Sequence, residues 1–150
     1  MAKRLRVLIA EDDKGDLELM KVVIEGLGLT EETAAVRDGA EVLDFLFRRG
    51  LYADRPSGGP ALLFLDLKLP KIDGIEVLNQ IRKKEEFKAM RTVIFSSSLD
   101  ESDRKRSLAA GADAFLVKPI DFDQFQEAIS SAVQTHAFPE KRPSGTEQDS

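Results

Sequence analysis

The sequence predicts an α/β domain: a five-stranded parallel sheet, doubly wound, with helices on both faces. Three observations carry that expectation. Short apolar runs alternate with stretches whose apolar residues recur at helical spacing. The runs are continuously apolar rather than alternating, the pattern of strands buried on both faces. Five such strand–helix units follow one another along the chain, the order that builds a parallel sheet.

Each element has its own signal. Leu5 to Ala10 is the first apolar run, and it ends in Glu11-Asp12-Asp13. Leu17, Met20, Ile24 and Leu27 then recur at helical spacing, and Gly28 is a natural stop. Thr33 to Val36 is the second strand, closed by Asp38-Gly39. Val42, Leu43, Leu46 and Phe47 form the next helical stripe, ending near Gly50. Leu51 to Pro60 carries two prolines, two glycines and a serine and reads as a surface loop. Leu62 to Leu65 is the third strand and delivers Asp66; after the loop Leu67 to Asp73 a helix begins at Gly74, with Ile75, Leu78 and Ile81 on one face. Thr92 to Phe95 is the fourth strand, ending at Ser96-Ser97-Ser98. Asp100 or a neighbour can cap the fourth helix, which runs to Gly111. Ala114 to Val117 is the fifth strand, ending at Lys118-Pro119, and the last helix follows Asp121 with Phe122, Phe125, Ile129 and Val133 as its stripe. Residues 1–137 are expected to form the domain. The polar, Pro- and Gly-containing segment 138–150 is expected to be a flexible tail.

Composition narrows the function. With 150 residues and 42% hydrophobic content, one domain with one good core is the expectation. The net charge of −5 argues against nonspecific nucleic-acid binding. The chain has no cysteine, which excludes disulfides, thiolate zinc sites and a cysteine nucleophile. The single His136 cannot supply a multi-histidine metal site. No apolar run approaches the roughly 20 residues that span a bilayer. The stretch Val7 to Ala10 is too short for a signal-peptide core, so a cytoplasmic protein without membrane contact is expected.

In parallel sheets of this kind, ligands sit beyond the carboxyl ends of the strands, near a topological switch point. Those ends carry Glu11 and Asp12, Asp66, Ser96 and Lys118. Taken singly, each has an ordinary reading. Acidic residues after a strand cap helices, aspartate forms turns, serine is common in loops, and a lysine before a helix is usually solvated. Together they place three carboxylates, one hydroxyl and one ammonium on one edge. Carboxylates about 4 Å apart repel by about 1 kcal/mol in water and about 4 at an effective dielectric near 20. Such a cluster needs a cation, and all-oxygen donors with room for water and a phosphate oxygen favour Mg²⁺.

These residues lie in stretches that resemble the receiver domains of two-component response regulators, over roughly residues 4 to 135. The likeness rests on Val-Leu-Ile-Ala-Glu11-Asp12-Asp13, on Leu-Phe-Leu-Asp66-Leu-Lys-Leu-Pro70-Lys-Ile-Asp73-Gly74, on Val-Ile-Phe-Ser96-Ser97-Ser98 and on Gly111-Ala-Asp-Ala-Phe115-Leu-Val-Lys118-Pro119. The loop holding Leu51-Tyr52-Ala53-Asp54 is similar to that of single-domain response regulators that partner bacterial phytochrome histidine kinases.

The resemblance implies the (βα)₅ flavodoxin-like receiver fold and a phosphoacceptor signalling protein rather than an enzyme. Asp66 would take a phosphoryl group from a phosphohistidine on a partner sensor histidine kinase. Asp12, Asp66 and the backbone carbonyl of Lys68 would bind Mg²⁺, with Glu11 acting through a metal-bound water. Lys118 and the Ser96 hydroxyl would each meet a phosphoryl oxygen. Phe115 would change rotamer as Ser96 moves, or else simply pack in the core. Weak self-phosphorylation from small phosphodonors and autodephosphorylation are expected, with Lys68 and Ser98 tuning the lifetime.

The family often has threonine at Ser96, tyrosine at Phe115 and an uncharged residue at Lys68. Leu19, Val22 and Val23 fall outside the first helix's stripe, as ordinary surface residues or as a kinase-docking patch. The fourth helix has only Leu108 as a bulky apolar residue, so it is weakly anchored. With strand five and helix five it would form the output or homodimer surface. With no output domain in the sequence, the signal is expected to leave by contact with another protein or by onward phosphotransfer.

Rival functions fit less well. A phosphoaspartate phosphatase of the haloacid-dehalogenase type has a carboxylate two residues after its nucleophile, where this chain has Lys68. A nucleotide-binding module would need a glycine-rich run after a strand, and Gly58-Gly59 precedes one. A degenerate receiver acting only as a scaffold is opposed by the complete set of polar strand ends.

Overall fold

Ten main elements alternate along the described residues. They are β1 (Val7–Ala10), α1 (Lys14–Gly26), β2 (Thr33–Val36), α2 (Gly39–Phe47), β3 (Leu62–Leu65), α3 (Gly74–Arg82), β4 (Arg91–Ser96), α4 (Glu101–Ala109), β5 (Ala114–Val117) and α5 (Phe122–His136). The structure is a computed structural model that describes residues 4–141. All strand pairs are parallel, in the order β2-β1-β3-β4-β5. The chain reverses its direction of travel across the sheet between β1 and β3, so the switch point lies there. The fold is the doubly wound α/β architecture read from the sequence.

The strands are as apolar as their burial requires: every residue of β1 and β3 is buried. Side chains alternate between two cores. Leu8, Leu63, Leu65 and Ile94 face the α2–α3 side with Val42, Leu46, Val77 and Ile81. Val7, Ile9, Phe64 and Phe95 face the α1–α5 side with Met20, Ile24, Phe125 and Ile129.

Each of the five α-helices begins on an aspartate: Asp13, Asp38, Asp73, Asp100 and Asp121 all accept a hydrogen bond from a first-turn backbone N–H. These caps satisfy donors that the helix cannot, and their negative charge suits the positive end of the helix.

Three expectations need correction. Val23 lies in the core at 3% exposure, beside Met20 and Ile24. It stands three residues after Met20 and four before Leu27, so the helical step itself puts it on the face packed against the sheet and α5. Phe122 is 40% exposed at the first residue of α5, and Ala132 joins the buried stripe of Phe125, Ile129 and Val133. Helix α2 stops at Phe47, where Arg48 turns into the left-handed region at φ 57°. The loop after it is fastened to α2: Tyr52 donates to Glu41, its ring stands edge-on to Phe45 at 4.9 Å, and the Arg55 guanidinium lies 3.9 Å over Phe45.

The start of the expected tail also has contacts. Phe138 lies 4.5 Å beneath the Arg6 guanidinium, and Glu140 pairs with Arg6 at 3.0 Å. The rest of that segment, from residue 142, lies outside the described residues.

One close approach bears on the polar edge. A Cβ on Gly74 would sit 2.5 Å from the Asp66 carbonyl oxygen and 2.9 Å from the Leu67 Cα. The Gly74 N–H donates to the Leu67 carbonyl at 2.9 Å, which draws the start of α3 against the end of β3. Gly74→Ala must therefore push α3 away from Asp66. It is expected to cost about 1–3 kcal/mol of stability, seen as a lower urea midpoint.

Candidate functional site

The sheet ladder runs one residue past the strands and aims the polar side chains. The Glu11 N–H donates to the Val36 carbonyl at 3.1 Å, the Asp66 N–H to Ala10 at 3.2 Å and the Lys118 N–H to Ser96 at 2.8 Å. Ala10 and Leu65 are register partners, so Glu11 and Asp66 leave adjacent strands side by side at the switch point. Glu11, Asp12 and Asp66 each offer a carboxylate oxygen, all within 4.8 Å of one another.

Lys118 enters this group from the far edge. Its Nζ lies 2.9 Å from Glu11 Oε1, 2.9 Å from Asp66 Oδ2 and 2.8 Å from Asp16 Oδ2. The remaining oxygens of the first two carboxylates are also held. Glu11 Oε2 accepts from the Asp13 N–H at 3.1 Å, and Asp66 Oδ1 from the Lys68 N–H at 3.2 Å. Glu11, Asp66 and the Lys118 side chain are buried. Burial, opposed by the Lys118 hydrogen bond and reinforced by the charge of Asp66, pushes the Glu11 carboxyl up to about 7. Burial alone would lower the Lys118 ammonium, but its hydrogen bonds to Asp16, Glu11 and Asp66 carry it well above the usual lysine range. At neutral pH Lys118 is therefore a fixed positive charge.

Three carboxylates thus hold one ammonium, and a fourth, that of Asp12, lies beside two of them. That balance leaves excess negative charge, and the donors are all oxygen. The set fits a hard divalent cation.

The structure also places the other sequence-predicted residues. Ser96 is buried, and its Oγ accepts from the Ser98 N–H at 3.2 Å. Ser98 Oγ donates to Asp103 on α4 at 2.7 Å and accepts from the Asp100 N–H at 3.1 Å. Phe115 is half-buried against the α2–α3 core, and its register partner Ile94 is two residues before Ser96. By strand alternation Phe115 and Ser96 face the same side of the sheet. The Lys68 side chain is exposed at the rim. Leu19 and Val22 are 38% and 54% exposed, whereas Val23 is not part of any surface. Leu19 lines a groove of about 450 Å³ with Ile120, Phe122 and Phe125, and Asp16 and Lys118 line it too.

Asp16 is the residue the sequence reading missed. It sits in the first turn of α1, three residues past the capping Asp13, and so faces the edge that receives the strand ends. Its signal was present: a second acid in the first turn of the helix that follows Glu11-Asp12.

Comparison with known proteins agrees with this geometry. The family model described as the response regulator receiver domain matches residues 7–130. Response regulator Rcp1 of Synechocystis sp. is 34% identical over 112 residues, covering 75% of each chain. The crystal structure of the phosphorylated cyanobacterial phytochrome response regulator RcpA superimposes with a TM-score of 0.83 at 27% identity, covering 93% of this chain and 98% of that one. The bacteriophytochrome response regulator AtBRR is 43% identical, with a TM-score of 0.70 and 85% and 92% coverage. The Mn²⁺-bound form of Rcp1 aligns at a TM-score of 0.78 and 30% identity, covering 85% of this chain and 91% of that one.

The raised Glu11 value has a thermodynamic consequence. From the ordinary 4.5 up to about 7, the folded protein holds this proton more tightly than the unfolded chain does. Stability must then fall as pH rises through that window, because the unfolded state binds fewer protons. In urea unfolding without divalent cations, Glu11→Gln removes this slope. The midpoint of the wild type relative to E11Q should be highest near the low end of the window and lowest above its upper end.

Proposed function

This chain belongs to the response regulator receiver domain family, and from that premise we propose that Asp66 is its phosphoacceptor. The observation that carries the proposal is the Asp66 carboxylate at the switch point, held by Lys118 at 2.9 Å and by the Lys68 N–H at 3.2 Å beside Glu11 and Asp12. One Asp66 oxygen forms a bond to phosphorus while the bond from phosphorus to the donor's imidazole nitrogen breaks. The electron pair stays with the imidazole, and an acyl phosphate results. Glu11, Asp12, Asp66 and the Lys68 carbonyl would hold Mg²⁺, with Glu11 acting through water. When bound, the cation neutralises charge on the phosphoryl oxygens.

Lys118 then turns from Asp66 to a phosphoryl oxygen as a point charge. Ser96 donates its hydroxyl to another, and Phe115 repacks on the same face of the sheet. Phe115 has no hydroxyl, so its two positions differ by packing alone. Lys68 at the rim, with Ser98 behind Ser96, sets access of water to the acyl phosphate.

The donor is a sensor histidine kinase, and the relatives named as phytochrome response regulators favour a phytochrome kinase. Leu19 and Val22, beside the groove that Ile120 and Phe122 line, offer apolar surface next to the acceptor for the kinase's helices. Leu99, Leu108 and Val117 are exposed on the α4–β5 side. That face is the output or homodimer surface through α4, β5 and α5, from which the signal passes to a downstream protein or onward by phosphotransfer.

Intact-mass spectrometry after incubation with acetyl phosphate and Mg²⁺ tests the acceptor. One phosphoryl adduct is expected on the wild type, absent without Mg²⁺ and absent in Asp66→Asn. The same time course on Lys68→Asn should show a changed adduct lifetime. No adduct on the wild type, even sampled early, would support a scaffold that acts without phosphorylation. For docking, Leu19→Glu should slow transfer from the kinase by about tenfold or more, since a charge is forced into an apolar contact, and spare transfer from acetyl phosphate. Equal slowing of both would remove the patch from the kinase interface.

A further inference from the structure

An ammonium has three N–H donors, and Lys118 spends all three on carboxylates: Glu11, Asp66 and Asp16. Two of those acceptors have other duties if Asp66 is the phosphoacceptor, the reading on which this inference rests. Asp66 loses a carboxylate oxygen to the bond with phosphorus. Glu11 belongs to the set of oxygens that a cation would draw on. Asp16 is neither a reactant nor part of the acidic group around Asp66.

Asp16 is also firmly placed. Its backbone N–H is bound by the capping Asp13 at 2.9 Å, and the next residue, Leu17, is buried in the α1–α5 core. Its carboxylate therefore projects from a fixed turn of α1. Lys118, by contrast, hangs on a flexible four-carbon stem from the end of β5. A stem of that kind loses several rotamers when its tip is pinned, and pinning it from α1 costs nothing at the moment of reaction.

We propose that Asp16 is a positioning residue, the partner that keeps the Lys118 ammonium aimed at Asp66 while its other two hydrogen bonds change. It acts through Lys118 and touches neither the donor nor phosphorus. The ordinary alternative is that Asp16 only adds negative charge to the first turn of α1, which favours the helix. In that case the ammonium would stay in place without it, and removing a negative charge would make an anionic donor react faster.

The experiment uses the full chain as wild type, Asp16→Asn and Asp16→Glu. Nitrogen-15 NMR of the lysine ammonium groups reads Lys118 directly, with Lys118→Arg to assign its signal. A saturated, buried ammonium exchanges slowly with water. The Lys118 signal is expected in the wild type, broadened or lost in D16N, and recovered at least in part in D16E. Phosphorylation by acetyl phosphate is then followed by intact mass at saturating Mg²⁺; the step forms the Asp66 oxygen–phosphorus bond and expels acetate with the electron pair. The rate at saturating donor should fall about tenfold in D16N, with little change in the half-saturating concentration and partial rescue by D16E.

An unchanged or faster saturated rate in D16N overturns the proposal, whatever the ammonium signal does. Were the wild type itself to take no phosphoryl group, the failure would lie with the acceptor reading. The ammonium signal alone would then decide whether Asp16 holds Lys118: loss in D16N sustains that hold and an unchanged signal ends it.

Discussion

The buried ammonium of Lys118 is the interaction on which the polar edge depends. Two of its three partners, Glu11 and Asp66, are buried carboxylates on neighbouring strands. Each would be costly to bury charged, and together they repel. One ammonium within 2.9 Å of both offsets that cost, though for Glu11 burial still outweighs it. The arrangement also ties β5, β1, β3 and α1 together at a single atom. The sheet's order makes this feasible: β1 and β3 are adjacent, and Lys118 reaches them past the end of β4 from β5.

The same edge explains how one acidic run serves two purposes. Glu11, Asp12 and Asp13 are consecutive, yet Glu11 turns into the pocket while Asp13 caps α1. The structure joins the roles, because the Asp13 N–H donates back to the Glu11 carboxylate. Asp73 does something similar on the other side: it caps α3, whose first residue, Gly74, comes against the end of β3 because it has no side chain. Helix starts and pocket carboxylates are thus built from the same turns, and strain in one is transmitted to the other.

The strands and the acidic pocket were legible in the sequence because their signals are local. A continuous apolar run says that both faces are covered, and the residue after it must emerge at the sheet's edge. Glu11, Asp12, Asp66, Ser96 and Lys118 followed from that rule alone. What was not legible depends on contacts between distant elements. Val23, by contrast, was legible: it lies three residues after Met20 and four before Leu27, on the helical stripe that packs against the sheet and α5. Phe122 fits the apolar spacing of α5 but stands at its first turn, beyond the reach of the core. Asp16 reads as an ordinary first-turn acid until Lys118, 102 residues away, is placed beside it.

The two helices flanking the pocket are anchored very differently, and that difference gives the domain a direction. Helix α1 buries Leu17, Met20, Val23 and Ile24 and holds Asp16 in place. Helix α4 buries only Ser107, and its start is tied to the pocket by polar contacts. The Ser98 N–H binds Ser96 Oγ, Ser98 Oγ binds Asp103, and the Asp100 N–H binds Ser98 Oγ. A Ser96 hydroxyl that turns toward a phosphoryl group, as proposed, must disturb the first of these bonds. The disturbance then meets an element with little apolar packing to resist it, whereas the α1 side is fixed by its core. Movement is therefore expected at α4 and the exposed Leu99, Leu108 and Val117 near it, while α1 keeps the shape that a phosphodonor would meet. On this argument a phosphodonor and an output partner, as proposed, would use separate faces because one helix is bolted to the core and the other is held by a short chain of hydrogen bonds.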